Sequence, residues 1–216
     1  RYMTLTVRES LKDLTIQLSL RTTLFPMKIT GSFLSSDLNL NRIWQACSWT
    51  QQVCSIDAFV DTPWREQAQW WGDARVQSWN TTHLTGGTEL LRRGIAQIAG
   101  QKVPNGLTYG HAPTIAHNCI LPDFSLIWMM TLWDYYWQTE SLEPLQTHQE
   151  TVDGILDYFQ EQIDSRTGLV QYDSRYWLFL DWTELQREGF PTILNLWLLI
   201  ALEKFAPLYQ KQGDLK

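Results

Sequence analysis

Asp123-Phe-Ser-Leu-Ile-Trp-Met-Met-Thr-Leu-Trp-Asp-Tyr-Tyr-Trp137 follows directly on Pro122 and is apolar on nearly every side of a helix. A helix without a wide polar face belongs inside a layered structure. Residues 191–206 read the same way. The flanking segments are different in kind. Residues 88–102 place Leu91, Ile95 and Ile98 on one face, and residues 145–163 place Val152, Ile155, Leu156, Phe159 and Ile163 at amphipathic spacing. Apolar helices inside and one-sided helices outside make a layered, mainly α arrangement. A concentric helical barrel satisfies that pattern, and so does a large bundle.

Working outward, Asp37 caps a helix through Ile43, Trp44 and Cys47 towards Val53. Another helix starts near Asp73. Thr88, after Gly86-Gly87, caps the next. Pro104, Gly106, Gly110 and Pro113 mark a long loop, and Pro144 opens the 145–163 helix, which ends over Asp164 to Gly168. Tyr172–Trp182 is short, aromatic and extended or looped. The count is about six helices. Residues 1–34 break the pattern. Met3, Leu5 and Val7 alternate with Thr4 and Thr6, and Leu14, Ile16, Leu18 and Leu20 alternate with Thr15, Gln17 and Ser19. Period two on both sides of a polar turn predicts a hairpin. Two strands bury little alone, so residues 1–34 are expected to complete a preceding β-sandwich-type domain, with the helical domain over 35–216. The chain begins with Arg and reads as a piece of a longer protein.

Composition narrows the function. Hydrophobic residues at 44% and charged residues at 19% suit a packed core. Lys and Arg total 17 against 23 Asp and Glu, a net charge of −6, with no basic cluster. That argues against nucleic acid or an anionic membrane as partner. The apolar stretches around Trp128 and Trp197 read as too short to span a bilayer. Cys47, Cys54 and Cys119 form no disulfide or zinc spacing. His111 and His117 read as hydrogen-bonding or surface loop residues, and no metal site is expected. The 12 Trp are the outlier, six of them between Trp44 and Trp79. Flat apolar faces with one N–H donor suit cores, protein interfaces and sugar rings.

The densest polar and aromatic stretch is Asp61-Thr-Pro-Trp-Arg-Glu-Gln-Ala-Gln-Trp-Trp-Gly-Asp73. Charged groups beside so much apolar surface are costly unless paired or functional. If the stretch is helical, Glu66 and Trp70 share a face; Gly72 argues for a break before Asp73. The plain alternative is that Asp73 caps a helix, Arg65 pairs with an acid and the Trp pack a core. Glycosidic cleavage needs these parts: a carboxylic acid for the leaving oxygen and a carboxylate opposite it. Burial against Trp and nearby carboxylates push a Glu up in pKa, and Arg65 pushes it down.

Phe33-Leu-Ser-Ser-Asp-Leu-Asn-Leu-Asn-Arg-Ile-Trp44, Asp61-Thr-Pro-Trp-Arg-Glu66, Trp71-Gly-Asp-Ala74 and Leu121-Pro-Asp-Phe-Ser-Leu-Ile-Trp128 together resemble the bacterial α-L-rhamnosidases. These are inverting glycoside hydrolases with an (α/α)6, or six-hairpin, catalytic barrel. The resemblance runs from about Phe33 through the last helix, and Asp61–Ala74 is its most specific part. Thr62 stands where many members carry Cys. The resemblance implies a partial six-hairpin toroid, with Glu66 as general acid and Asp61 and Asp73 holding sugar hydroxyls and tuning the site. Arg65, Trp70 and Trp71 are expected at the substrate. Asp181 and Trp182, in Leu180-Asp-Trp-Thr-Glu184, are read as pocket residues; Asp181 or Glu184 is the one place in this chain for a base. The family's general base is a late Glu, expected with the rest of the barrel beyond Lys216. Two carboxylates and water suffice, so no cofactor is required, and the expected partner is a carbohydrate.

Two other readings stand beside this one. One is a carbohydrate-binding helical domain without catalysis, and the other is a helical interaction domain whose Trp are all core. A six-hairpin glycosidase or lyase acting on another sugar is the nearest sibling, because fold does not fix substrate.

Overall fold

The computed structural model describes residues 3–9 and 12–214. Seven helices appear among these residues: α1 (Leu38–Val53), α2 (Trp71–Thr85), α3 (Glu89–Gly100), α4 (Pro122–Thr139), α5 (Glu143–Thr147), α6 (Gln149–Glu161) and α7 (Thr192–Asp214). The fold is mainly α, as the sequence predicts, and fits part of an (α/α)6 toroid. The central element is α4. It packs most extensively against α7 and also meets α2, α3 and α6. Leu126, Trp128, Met129, Met130 and Leu132 are buried on it. Its near-continuous apolar surface is thus used on several sides at once, while α3 and α6 each bury one stripe.

Local signals set most helix ends. The Asp37 side chain accepts the Asn39 N–H at 2.8 Å and starts α1. Pro122 opens α4, where its missing N–H costs nothing. Gly86, at φ +71°, ends α2 in the left-handed region that glycine enters without strain. Three boundaries differ from the sequence reading. Helix α2 begins at Trp71 rather than near Asp73; Gly72 lies inside its first turn, where an added Cβ would meet the Phe124 ring at 3.1 Å. The predicted 145–163 helix is divided at His148 into α5 and α6. Helix α7 runs through Pro207 to Asp214 and is longer than the expected 191–206.

That extra length corrects a further expectation. Residues Thr192–Gly213 are long and apolar enough to cross a membrane by length and composition. Glu203 and Lys204 sit within the span, and Leu194, Leu198, Ala201, Phe205 and Leu208 are buried in the protein core. Its other face is open: Leu196, Leu199, Ile200 and Leu202 are exposed.

The predicted hairpin in residues 1–34 is not formed among the described residues. Residues 3–9 and 12–34 carry no strand ladder, and Met3, Leu5, Val7, Leu14, Ile16, Leu18 and Leu20 are exposed. Residues 1, 2, 10 and 11 of that expectation lie outside the described residues. The alternation is real, but its apolar face meets no second layer here, and an isolated pair of strands is marginal in water. The segment touches the helices only late, where the Phe25 N–H donates to the Ser55 carbonyl and the Thr30 and Gly31 N–H groups donate to the Leu84 carbonyl.

Two contacts lock α2 into the core. Trp71 is fully buried and donates its indole N–H to Thr131 Oγ1 on α4 at 3.2 Å. Its ring lies over Gly94 of α3, where a Cβ would approach Cζ3 to 2.6 Å. One turn on, Arg75 forms a salt bridge with Asp134 of α4 at 2.6 Å, and both side chains are largely buried.

Candidate active site

The Asp61–Trp70 segment links α1 to α2 and is a tight loop rather than a helix. The Asp61 N–H donates to the Ala68 carbonyl, and Asp61 Oδ1 accepts the Ala68 N–H at 3.0 Å. Thr62 Oγ1 accepts the Glu66 N–H, and Gln67, at φ +54°, turns the chain back. The loop is therefore closed at its neck by Asp61 itself. Its far end is fixed where the Trp71 N–H donates to the Gly110 carbonyl.

These constraints bring Asp61, Glu66 and Asp73 to one cavity of about 310 Å³, together with Arg65, Trp70, Leu121, Phe124, Trp177, Phe179 and Trp182. A cleft of about 400 Å³ adjoins it, and two larger ones lie elsewhere. One of about 670 Å³ runs between the end of α3 and α6, and one of about 570 Å³ lies beside Arg92 and Glu143. The first carries Glu150, Asp153 and Asp157, but neither has a Trp ring in its lining, and the pairing of carboxylates with Trp rings makes the smaller cavity chemically distinctive.

Glu66 and Trp70 meet without a helix between them: Trp70 Nε1 donates to Glu66 Oε2 at 3.0 Å. Arg65 Nη2 donates to Glu66 Oε1 at 2.7 Å, with both side chains well exposed. The Trp70 N–H holds the Glu66 carboxyl below its ordinary range, and a hydrogen bond from Asp61 and the Arg65 charge add to this. This direction reverses the expectation that burial pushes Glu66 up, because Glu66 stands in solvent with three donors around it. Burial instead raises Asp61, against the Thr62 and Ala68 N–H groups, and the Glu66 charge raises it further. Asp73 reaches solvent on the cavity side while the protein closes round it elsewhere. Burial pushes it up, and Asp61 and Glu66 add to the effect. Of this carboxyl pair Asp61 is thus pushed towards the weaker acid and Glu66 towards the stronger.

One wall of the cavity is aromatic. Trp70 packs edge-on to Trp177 at 6.1 Å and to Phe124 at 5.9 Å. Phe179 meets Trp182 at 5.1 Å and Phe124 at 5.8 Å. On its other side Trp70 lies 4.3 Å from the His111 ring, whose pKa burial lowers.

Of the expected site residues, Asp61, Arg65, Glu66, Trp70, Asp73 and Trp182 line this cavity. Trp71 does not. It is a correction: the helix begins at Trp71, so its ring turns away from Trp70 and into the core, where Thr131 satisfies its N–H. Asp181 lines the adjoining cleft with Asp73, Ile127 and Phe179, and its carboxylate accepts the Trp182 N–H at 2.6 Å. Glu184 is exposed and lines neither cleft. Sequence reasoning missed Phe124, Trp177 and Phe179. Their one signal was the aromatic density of the 123–137 and 172–182 segments. Among the described residues, no group of three or more His, Cys, Asp or Glu is arranged to hold a metal ion.

Residues 28–195 match the family model of the bacterial alpha-L-rhamnosidase 6 hairpin glycosidase domain. The chain is similar to a GH78 family rhamnosidase of Bacillus sp. GL1, with 28% identity and a TM-score of 0.81 over 88% of this chain and 20% of that one. It also shares its fold with a rhamnosidase from Klebsiella oxytoca solved with rhamnose bound, at 23% identity and a TM-score of 0.72 over 90% of this chain and 37% of that one. The chain thus spans about a fifth of the Bacillus protein's length and well under half of the Klebsiella protein's. No curated protein matches it. With the match covering most of its length, the chain belongs to the bacterial α-L-rhamnosidase six-hairpin glycosidase domain family.

Proposed function

We propose that this chain supplies the acid half of an inverting glycosidase that hydrolyses terminal α-L-rhamnosides. The observation that carries the reading is the gathering of Asp61, Glu66 and Asp73 against the Trp70, Trp177 and Trp182 rings in one cavity. In this reading Glu66 protonates the leaving oxygen as the bond to the anomeric carbon breaks. Water attacks that carbon from the opposite face and gives its proton to a carboxylate base. Asp61 and Asp73 hold sugar hydroxyls, and the Trp faces cover the apolar side of the ring.

Glu66 must hold a proton to act. Exposed and beside Arg65, it is held low. Sugar binding and closure of the barrel would exclude water and raise it, with Asp61 as the neighbouring proton store. The cavity's carboxylates all come from the 61–73 segment. The general base is therefore assigned to a later hairpin, in the remainder of the barrel beyond Lys216. By the same observation, the chain on its own fits a second reading, sugar binding without turnover.

Proton NMR of the first sugar released from an aryl α-L-rhamnoside by the full-length protein tests the stereochemistry. Inversion gives the β anomer first. Initial release of the α anomer would overturn the inverting mechanism.

A further inference from the structure

Three rings of the aromatic wall, Trp177, Phe179 and Trp182, come from a stretch with no helix or strand of its own. Such a strap is normally mobile and a poor platform for binding, because ordering it consumes affinity. Here two ionisable side chains grip its backbone. The Arg187 guanidinium donates to five carbonyls: Leu178 at 3.0 Å, Phe179 at 2.8 Å, Asp181 at 2.7 Å, Leu185 at 3.2 Å and Thr183 at 3.3 Å. Among the described residues no carboxylate forms a salt bridge with it, so the carbonyl dipoles are what it faces. Asp123, buried in the first turn of α4, accepts the Leu180 N–H at 2.8 Å. Leu180 itself is at φ +54°, a strained conformation for leucine that persists only where the surroundings impose it. Leu178, within the strap, is fully buried.

We propose that Arg187 and Asp123 are positioning residues that hold the Trp177–Trp182 strap in its sugar-binding shape before the sugar arrives. The inference rests on the rhamnosidase reading above and deepens it by assigning affinity for the carbohydrate ring to two residues outside the cavity lining. Arg suits the task because its planar fork offers five N–H donors at fixed angles, which a Lys ammonium cannot reproduce.

The test uses the full-length protein and an aryl α-L-rhamnoside. Arg187→Gln is expected to raise KM about tenfold while kcat changes by less than about threefold, the pattern of lost binding rather than lost chemistry. The effect should vanish in a Trp177→Ala background, because Arg187 acts through the strap. Arg187→Lys carries the same expectation at smaller size and serves if the Gln variant does not fold. Asp123→Leu should likewise raise KM, and Asp123→Asn, which keeps an acceptor for the Leu180 N–H, should restore it. An unchanged KM, or effects of Arg187→Gln and Trp177→Ala that simply multiply, would overturn the positioning role and leave the rhamnosidase reading intact. A folded wild type that neither cleaves the glycoside nor shows a tryptophan fluorescence change with L-rhamnose would overturn both.

Discussion

At the scale of single residues, the site is governed by where donors stand. Glu66 is held low first by the Trp70 indole N–H and not by its charged neighbour Arg65. Trp70→Phe removes that donor and keeps the ring, so the Glu66 titration midpoint should rise, as read by carbon-13 NMR of its carboxyl. No rise would mean that Arg65 and Asp61 alone set its acidity. Asp123 behaves in the opposite sense. Burial raises it to about 6 in the folded chain. Between its ordinary value and about 6 the folded state keeps a proton that the unfolded state has lost. Its contribution to stability is therefore full below about pH 4 and is lost as pH rises through about 6. Between pH 4 and pH 6.5, wild type should lose about 5 °C more of its thermal midpoint than Asp123→Asn does. Equal losses would show that Asp123 carries no such linkage. Neither direction was legible beforehand. The sequence places Glu66 among Trp rings, but only the loop geometry shows that one of those rings points its N–H at the carboxylate while the protein leaves Glu66 in solvent.

At the scale of elements, periodicity read the helices well wherever burial is one-sided or complete. The α3 and α6 stripes and the apolar α4 follow directly from residue spacing. The misreadings have physical causes. Gly72 suggested a break, yet it is the contact point that lets α2 approach Phe124 of α4. Trp70 and Trp71 are adjacent, so no spacing rule says which ring faces the cavity; the start of α2 between them decides it. Gly94 is invisible to helix periodicity, but it makes room for Trp71. Gly94→Ala should therefore destabilise the chain by about 1–3 kcal/mol despite alanine's better helix propensity, measured by urea unfolding. A neutral or stabilising effect would mean that the Trp71 ring can move aside and is not fixed by Thr131. The strap around residue 180 was visible only as aromatic density. Its shape depends on Asp123, 57 positions away, and on Arg187, which reaches back to carbonyls up to 9 positions earlier; neither grip follows a helix or strand period.

At the scale of the whole molecule, layered helices, the Asp61–Asp73 cluster and the family were all within reach of the sequence; the state of residues 1–34 was not. Their alternation expects a sheet, and the described residues show extended chain with exposed apolar side chains. The open face of α7 is a similar case. A helix apolar all round is satisfied on one side by α4, and Leu196, Leu199, Ile200 and Leu202 on its other side are exposed. Both features agree with a chain that spans only part of its structural relatives. In the proposed mechanism Glu66 as acid and the aromatic wall belong to this chain, and the base belongs elsewhere in the full-length protein. The most direct measurement is hydrolysis of 4-nitrophenyl glycosides, the α-L-rhamnoside among them, by full-length wild type and Glu66→Gln. Wild type is expected to cleave the rhamnoside, and Glu66→Gln to lose about 10²–10⁴-fold in kcat while still binding rhamnose. Undiminished turnover in Glu66→Gln, or no cleavage of any glycoside by the folded wild type, would contradict the proposed mechanism.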